Sequence, residues 1–293
     1  NILTALRKTN NHRFTQSFFD EFTINIFEIP SSRILTSYGW IVFDELKASI
    51  DNNSSIISSV LISDNTITLF LKNISNFDDD YSRSVFSQVF KLILNNHDDK
   101  WHWKQICDIC KEISYNNLST KNEVIEVKIK DKLKKMELAS DQEKWFWYYT
   151  KGLLESGKYT ECSELSTLAL DIIKKFHNWN DIWFSWRIAL SNKELWNTEL
   201  ALEKLLAIYE KKKEWFIEKE IAEIYFLIWD AKRAFEYAIR AMNNYGDLEF
   251  KVWLMSLIGD ILVKEKDDSL AEKHYLLSYL IRKNEDWKIP QDL

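Results

Sequence analysis

Three groups of residues in this chain have types and spacing suited to chemistry. Cys107-x-x-Cys110 sets two thiols three positions apart, and with His97 and His102 upstream the set has the composition of a zinc site. Structural zinc needs four ligands, however, and Cys162 and His177 lie far away in sequence. Unoxidised cysteine is among the most buried residue types, so core packing accounts for the pair. A redox motif would follow a strand, and none precedes it. Gly152-x4-Gly157-Lys158 stops one residue short of a phosphate-binding loop, because Tyr159 stands where Ser or Thr would reach Mg²⁺. Such a loop follows a buried strand, whereas Trp145 to Tyr149 follows a helix cap, so nucleotide binding is not expected there. Lys128, Lys130, Lys132, Lys134 and Lys135 form the densest basic stretch, with Lys211-Lys212-Lys213 second. The first has enough charge to neutralise several phosphates. Its competing reading is a solvent-facing helix supported by Glu126 with Lys130 and Asp131 with Lys135 at i,i+4.

No zinc-protease histidine pair, nucleophile elbow or kinase set is present, and His12, His97, His102, His177 and His274 form no local cluster. The acidic residues have the spacing of solvated helix faces. The chain therefore reads as a non-enzyme without cofactor or metal.

The elements that would carry any site are helices. Only 5 Gly and 2 Pro occur in 293 residues, too few for the closely spaced turns of a sandwich or barrel. Hydrophobic residues make up 46% and include 13 Trp, which supplies a large core and predicts that most tryptophans are wedged between helices. Thirty-nine Lys and Arg against 45 Asp and Glu give a net charge of −6. That argues against bulk electrostatic attachment to nucleic acid, although a local basic stripe is compatible with it. The longest apolar runs, such as Tyr225 to Trp229, are far too short to cross a membrane. Three cysteines make no disulfide framework and no signal peptide opens the chain, so a cytoplasmic location is expected. The first residue is Asn1 rather than Met, which implies a missing or processed start.

A loose repeat runs from Trp145 to Ile281. Cys162, Ala201, Ala234 and Ala271 are small residues spaced 39, 33 and 37 positions apart, each opening the second helix of a pair. Ala222 and Tyr225 precede Ala234, Ala238 and Ala241 in the third unit, and Gly259 precedes Ala271 and Tyr275 in the fourth. Unit two keeps Ala189 and Ala201 but departs elsewhere. Close helix pairs need small side chains at the crossing and large ones around it. Ser140-x-x-Glu143 and Ser269-x-x-Glu272 are capping boxes, and Asn197 or Thr198 and Asp247 are further cap candidates. Helices are predicted near 142–155, 159–175, 182–194, 198–212, 215–229, 231–243, 248–264 and 269–283. With Gly157 to Cys162 and Ala169-Leu170, this pattern resembles the tetratricopeptide repeat. The resemblance implies an all-α, right-handed α-solenoid of about four helix hairpins over 141–293, with an N-terminal helical extension, either divergent repeats or a cap, over 1–140.

In that first part, Ile34, Tyr38, Ile41, Val42 and Leu46 have helix spacing, as do Tyr81, Val85, Phe86, Val89, Phe90 and Ile93 behind Asp78-Asp79-Asp80. Asn52 to Ser55 reads as a loop, and Thr120-x-x-Glu123 as the start of a helix through Lys132. Ser37 to Phe43, with His274 to Leu277 and Trp287 to Pro290, resembles the helical tetratricopeptide-type component of bacterial TOTE conflict systems. That likeness implies antiviral defence alongside nucleic-acid-handling partners.

The repeat family lines a concave groove with the first helix of each unit. Carried onto this register, the resemblance places Trp147, Lys151, Trp183, Trp186, Arg187, Lys219, Glu223, Trp253 and Asp260 in the groove. Lys219 is followed four residues later by Glu223 rather than Asn, a departure from the carboxylate-clamping members. The expected function is a scaffold gripping another protein or peptide in this groove. The alternative is a nucleic-acid-associated subunit using the lysines of 128–135 and the groove aromatics.

Overall fold

The computed structural model describes residues 31–51, 64–96, 103–129 and 132–290. His12, His97, His102, Lys130, Asp131 and the loop expected at Asn52 to Ser55 lie outside them. The chain forms two compact units: residues up to Lys158 with Asp171–Asn180, and Tyr159–Leu170 with Asp181–Leu293.

The first unit begins with helices α1 (Ser32–Asp51), α2 (Asp64–Ile74) and α3 (Asp80–Asn96). They meet where Gly39 leaves no room: an added Cβ would lie 2.3 Å from the Phe70 ring and 2.9 Å from Val85. Asp79 caps α3 by accepting from the backbone N–H groups of Tyr81 and Ser82 at 3.1 and 3.0 Å, which lowers its pKa. Tyr81, read as part of the apolar stripe, is instead exposed. It sits in the first turn beside the buried Ser82, and the apolar part of the buried face begins at Val85.

Helix α4 (Trp103–Glu112) packs on α5 (Asp141–Glu155). The contact is again a glycine, since a Cβ on Gly152 would stand 2.8 Å from Cys107 Sγ. Gly152 is thus a packing residue inside a helix that is continuous from Asp141, and the strand upstream of that helix, Lys132–Leu138, is exposed and not the buried strand that a phosphate-binding loop follows. Cys107 and Cys110 are buried free thiols, and burial pushes Cys110 well above the usual thiol range. Ser140 caps α5 by accepting from Glu143 N–H at 3.1 Å. The capping box is one-sided, because the Glu143 carboxylate turns to His177 N–H at 3.1 Å and Asn180 Nδ2 at 2.7 Å.

Between α4 and α5 the expected helix is a β-hairpin, β1 (Glu123–Ile129) and β2 (Lys132–Leu138), antiparallel and paired from Glu123↔Leu138 to Ile129↔Lys132. Four of the seven β1 residues, Val124, Ile125, Val127 and Ile129, are β-branched. Such side chains lose rotamer freedom in a helix and suit a strand, and this outweighs the charge spacing. Glu126 accordingly stands opposite Lys135 across the ladder.

The second unit is a series of antiparallel helix pairs: α6 (Tyr159–Ile172), α7 (Asn180–Glu194) with α8 (Thr198–Lys211), α9 (Trp215–Leu227) with α10 (Ala231–Asn243), and α11 (Val252–Lys264) with α12 (Asp268–Asn284). A 3₁₀ turn at Leu248–Lys251 shortens the start expected for α11. Ala201, Ala234, Ala238, Ala241 and Ala271 are buried in one core with Ile217, Ile221 and Ile258, so the small residues of the repeat are the helix contacts.

Each first helix closes on a residue with positive φ: Gly157 (72°), Trp196 (62°), Trp229 (67°) and Lys266 (62°), five positions before Cys162, Ala201, Ala234 and Ala271. The hydrogen bonds Lys158 N–H to Leu153 O, Asn197 N–H to Asn192 O, Asp230 N–H to Tyr225 O and Asp267 N–H to Leu262 O close the same Schellman turn four times. The following helix is capped by Asp230 in the third pair and by Asp267, not Ser269, in the fourth. Asn197 and Asp247 occupy cap positions without a side-chain cap bond. The tryptophans depart from the core expectation: among the described residues only Trp145 is fully buried, while Trp179, Trp196, Trp229, Trp253 and Trp287 are exposed.

Candidate partner-binding groove

The second unit contains a half-open cavity of about 640 Å³. Its walls come from the first helices of successive pairs: Lys193 and Glu194 from α7, Lys219, Glu223 and Phe226 from α9, Trp253, Leu257 and Asp260 from α11. Tyr275 of α12 and Pro290 complete the lining. The first helices line it because their second-helix partners occupy the opposite side of each pair, where the alanine contacts lie.

At its α7–α9 end the cavity holds a four-residue ion network. Lys193 pairs with Glu220 and, at 2.7 Å, with Glu223; Lys219 pairs with Glu220 at 3.0 Å and with Glu223 at 2.8 Å. Lys193 and Glu220 are only 14% and 10% exposed at their side chains. Burial alone lowers a lysine pKa, but here the two glutamates more than offset it, so Lys193 and Lys219 are held above their ordinary values. Burial likewise favours the neutral form of Glu223, and the two ammonium groups overcome it, leaving its pKa lowered. Both cations are therefore neutralised within the wall.

Elsewhere in the lining two carboxylates are uncompensated. Asp260 accepts a 2.6 Å hydrogen bond from the Tyr275 hydroxyl, and among the described residues neither it nor Glu194 has an ion pair. Burial and this bond to Asp260 raise the Tyr275 pKa, keeping the phenol protonated. Tyr275 reaches Asp260 by lying across Gly259, where an added Cβ would be 2.6 Å from its ring. Trp253 is 59% exposed, backed by the Arg282 guanidinium 4.2 Å from its ring.

Of the residues that the repeat resemblance assigned to a groove, Lys219, Glu223, Trp253 and Asp260 line this cavity. Trp183 and Trp186 pack with Phe216 at ring separations of 5.6 and 4.8 Å, and Lys212 lies over Trp183, so both belong to an aromatic cluster between α7 and α9. Arg187 is buried against Phe184. Trp147 and Lys151 are on α5 of the first unit, where the Lys151 ammonium sits 4.4 Å over the Trp103 ring. Lys193 and Glu220 were missed because their partnership spans 27 residues, a separation no local spacing rule covers.

No protein-family model and no curated protein matches the chain in sequence. Solved structures do match in shape. MamA 41-end from Desulfovibrio magneticus RS-1 superposes with a TM-score of 0.50 at 13% identity, covering 70% of this chain and 97% of that one. The fold is a tetratricopeptide-like α-solenoid. A tetratricopeptide repeat protein from Parabacteroides merdae ATCC 43184 gives a TM-score of 0.46 at 10% identity over 95% of this chain and 90% of that one. BtubC (BKLC) from P. vanneervenii gives 0.47 at 11% identity, over 89% and 94% respectively. At these identities the likeness to MamA is one of fold alone. Among the described residues of this tetratricopeptide-like chain, no helix is long and apolar enough to cross a membrane, and no three His, Cys, Asp or Glu side chains gather in a metal-holding group.

Proposed function

We propose that the chain is a non-catalytic scaffold that holds a segment of another protein in the α7–α9–α11 groove. The observation that carries this reading is a cavity of about 640 Å³ lined by three successive first helices, whose two lysines are neutralised by Glu220 and Glu223 while Asp260 and Glu194 have no ion pair. With Lys193 and Lys219 committed to Glu220 and Glu223, an acidic tail finds no unpaired cation there. Asp260 and Glu194 beside Trp253, Phe226 and Leu257 favour a segment with apolar anchors and a basic side chain. The short likeness of Ser37 to Phe43 and of the C-terminal stretch to a conflict-system component supports placing the scaffold in a bacterial defence complex. The three free, buried cysteines support a cytoplasmic setting.

The test is a selection from a random peptide display library on the purified chain, followed by binding to Trp253→Ala and Asp260→Arg. Selected peptides should be rich in Lys or Arg next to an apolar residue and should lose most of their affinity for both variants. Peptides that bind the variants undiminished place the contact elsewhere and end the groove reading.

A further inference from the structure

We propose that the lysine-bearing end of the β1–β2 ribbon is a second contact surface, one that enters the major groove of B-form DNA. This surface belongs to the first unit and does not depend on the groove reading. In the antiparallel register, paired residues share a face of the ribbon. Lys132 and Lys134 therefore lie on the face of Ile125, Val127 and Met136, and Lys128 and Lys135 on the face of Val124, Leu133 and Glu137. All four described lysines fall in the four rungs nearest the turn, with Glu126 the only acid among those rungs.

The base of the ribbon is fixed and acidic. Glu137 accepts from Asn122 Nδ2 at 2.6 Å and pairs with Lys175 at 3.8 Å, while its carbonyl meets His177 Nε2 at 2.8 Å. The other end is uncovered: Lys132 through Lys135 are exposed, and Leu133 is 73% accessible. Among the described residues, the side chains of Lys132, Lys134 and Lys135 have no ion pair or hydrogen bond. The comparable run Lys211-Lys212-Lys213 is engaged throughout, by Asp181 at 3.6 Å, by Glu214 and the Trp183 ring, and by the Tyr209 ring.

Cations on both faces of a thin ribbon select the occupant. An anionic membrane presents charge on one side only and is met by amphipathic elements with a broad apolar face. The major groove has phosphates along both walls and is about 12 Å wide, a width that admits two strands roughly 4.8 Å apart with their side chains. Leu133 and Val124, wasted against water, would meet base edges such as thymine methyls. The narrow, deep major groove of A-form RNA would not admit the ribbon. The competing use of edge lysines is to keep a bare strand from pairing with another chain.

Fluorescence anisotropy of the full chain with a labelled duplex of about 20 base pairs tests the proposal, with salt varied from roughly 50 to 200 mM. Lys132, Lys134 and Lys135 on phosphates give a log–log slope of about −2.7, or an affinity loss of about 40-fold over that range. Lys132→Gln with Lys134→Gln should flatten the slope by about 1.8, and Arg at both positions should restore it. Lys211→Gln with Lys212→Gln should change neither. Unaltered binding by the ribbon variant overturns the proposal. So does tighter binding to the single strand, or equal binding to phosphatidylserine vesicles. Self-association of the Gln variant with unchanged DNA affinity would identify the lysines as guards of the strand edge and also overturn it.

Discussion

The ion network in the groove wall yields a quantitative expectation. Replacing Lys193 with Met leaves Glu220, 10% exposed, and Glu223, 26% exposed, sharing the single ammonium of Lys219. Removing one partner of a well-buried pair costs about 3–5 kcal/mol, and a largely exposed pair contributes below about 1 kcal/mol. With side chains between 10% and 26% exposed, the single substitution should cost about 2–3 kcal/mol. For a chain of 293 residues that corresponds to a fall in Tm of roughly 3–5 °C. The double variant Lys193→Met with Glu220→Met removes a cation and an anion together while Lys219 keeps Glu223 at 2.8 Å. It should recover at least half the loss, a coupling of about 1–2 kcal/mol. Urea unfolding at neutral pH measures all four corners of the cycle. Because Glu223 has a lowered pKa, its contribution is present above the unfolded carboxylate range and disappears as pH falls through the folded value. The lysines have raised pKa values, so theirs persists until strongly alkaline pH. The penalty of Lys193→Met must therefore shrink in acid. Additive single effects, or a single cost below about 0.5 kcal/mol, would show an ordinary surface pair and refute the closed-wall argument.

Three further outcomes follow from particular contacts. Burial raises Glu45 to about 7, so the folded protein keeps a proton that the unfolded chain releases near 4.5, and stability falls as pH rises between those values. Glu45→Gln, at this partly exposed site, should be about 1–2 kcal/mol more stable than the parent at pH 8 and indistinguishable at pH 4 by thermal unfolding; no difference at pH 8 defeats it. Gly259→Ala drives a methyl to within 2.6 Å of the Tyr275 ring and should lower stability by about 1–3 kcal/mol in urea; a neutral effect would mean the ring moves aside without cost. Cys107, Cys110 and Cys162 should resist Ellman's reagent in the native state and all react in denaturant, whereas rapid native labelling would contradict their burial.

The repeat was legible because its determinants are local. A small residue at a helix crossing, an aromatic beside it and a turn between them recur at measurable spacing, and α5 to α10 begin and end within about three residues of the predicted bounds. The hairpin was not, because Lys and Glu at i,i+4 imitate a helix surface while the alternating Val and Ile of β1 carry the opposite preference. The exposed tryptophans escaped for a different reason. Composition predicts that aromatics are buried, and only the turn geometry reveals that Trp196 and Trp229 are held outward. In the groove, Lys219, Glu223, Trp253 and Asp260 followed from the repeat register, but the balance of the ion network did not, because Lys193 from the preceding pair shares Glu220 and Glu223 with Lys219.

The left-handed turns have an evolutionary corollary. One backbone bend is filled by Gly157, Trp196, Trp229 and Lys266, so its shape is set by main-chain bonds and not by what hangs from it. An L-residue there costs of the order of 1 kcal/mol, a modest toll that leaves chemical identity open to selection. Successive turns can exchange bare, oily or charged tips at that station while the interior alanines stay fixed, so the tip diversifies independently of the packing between helices.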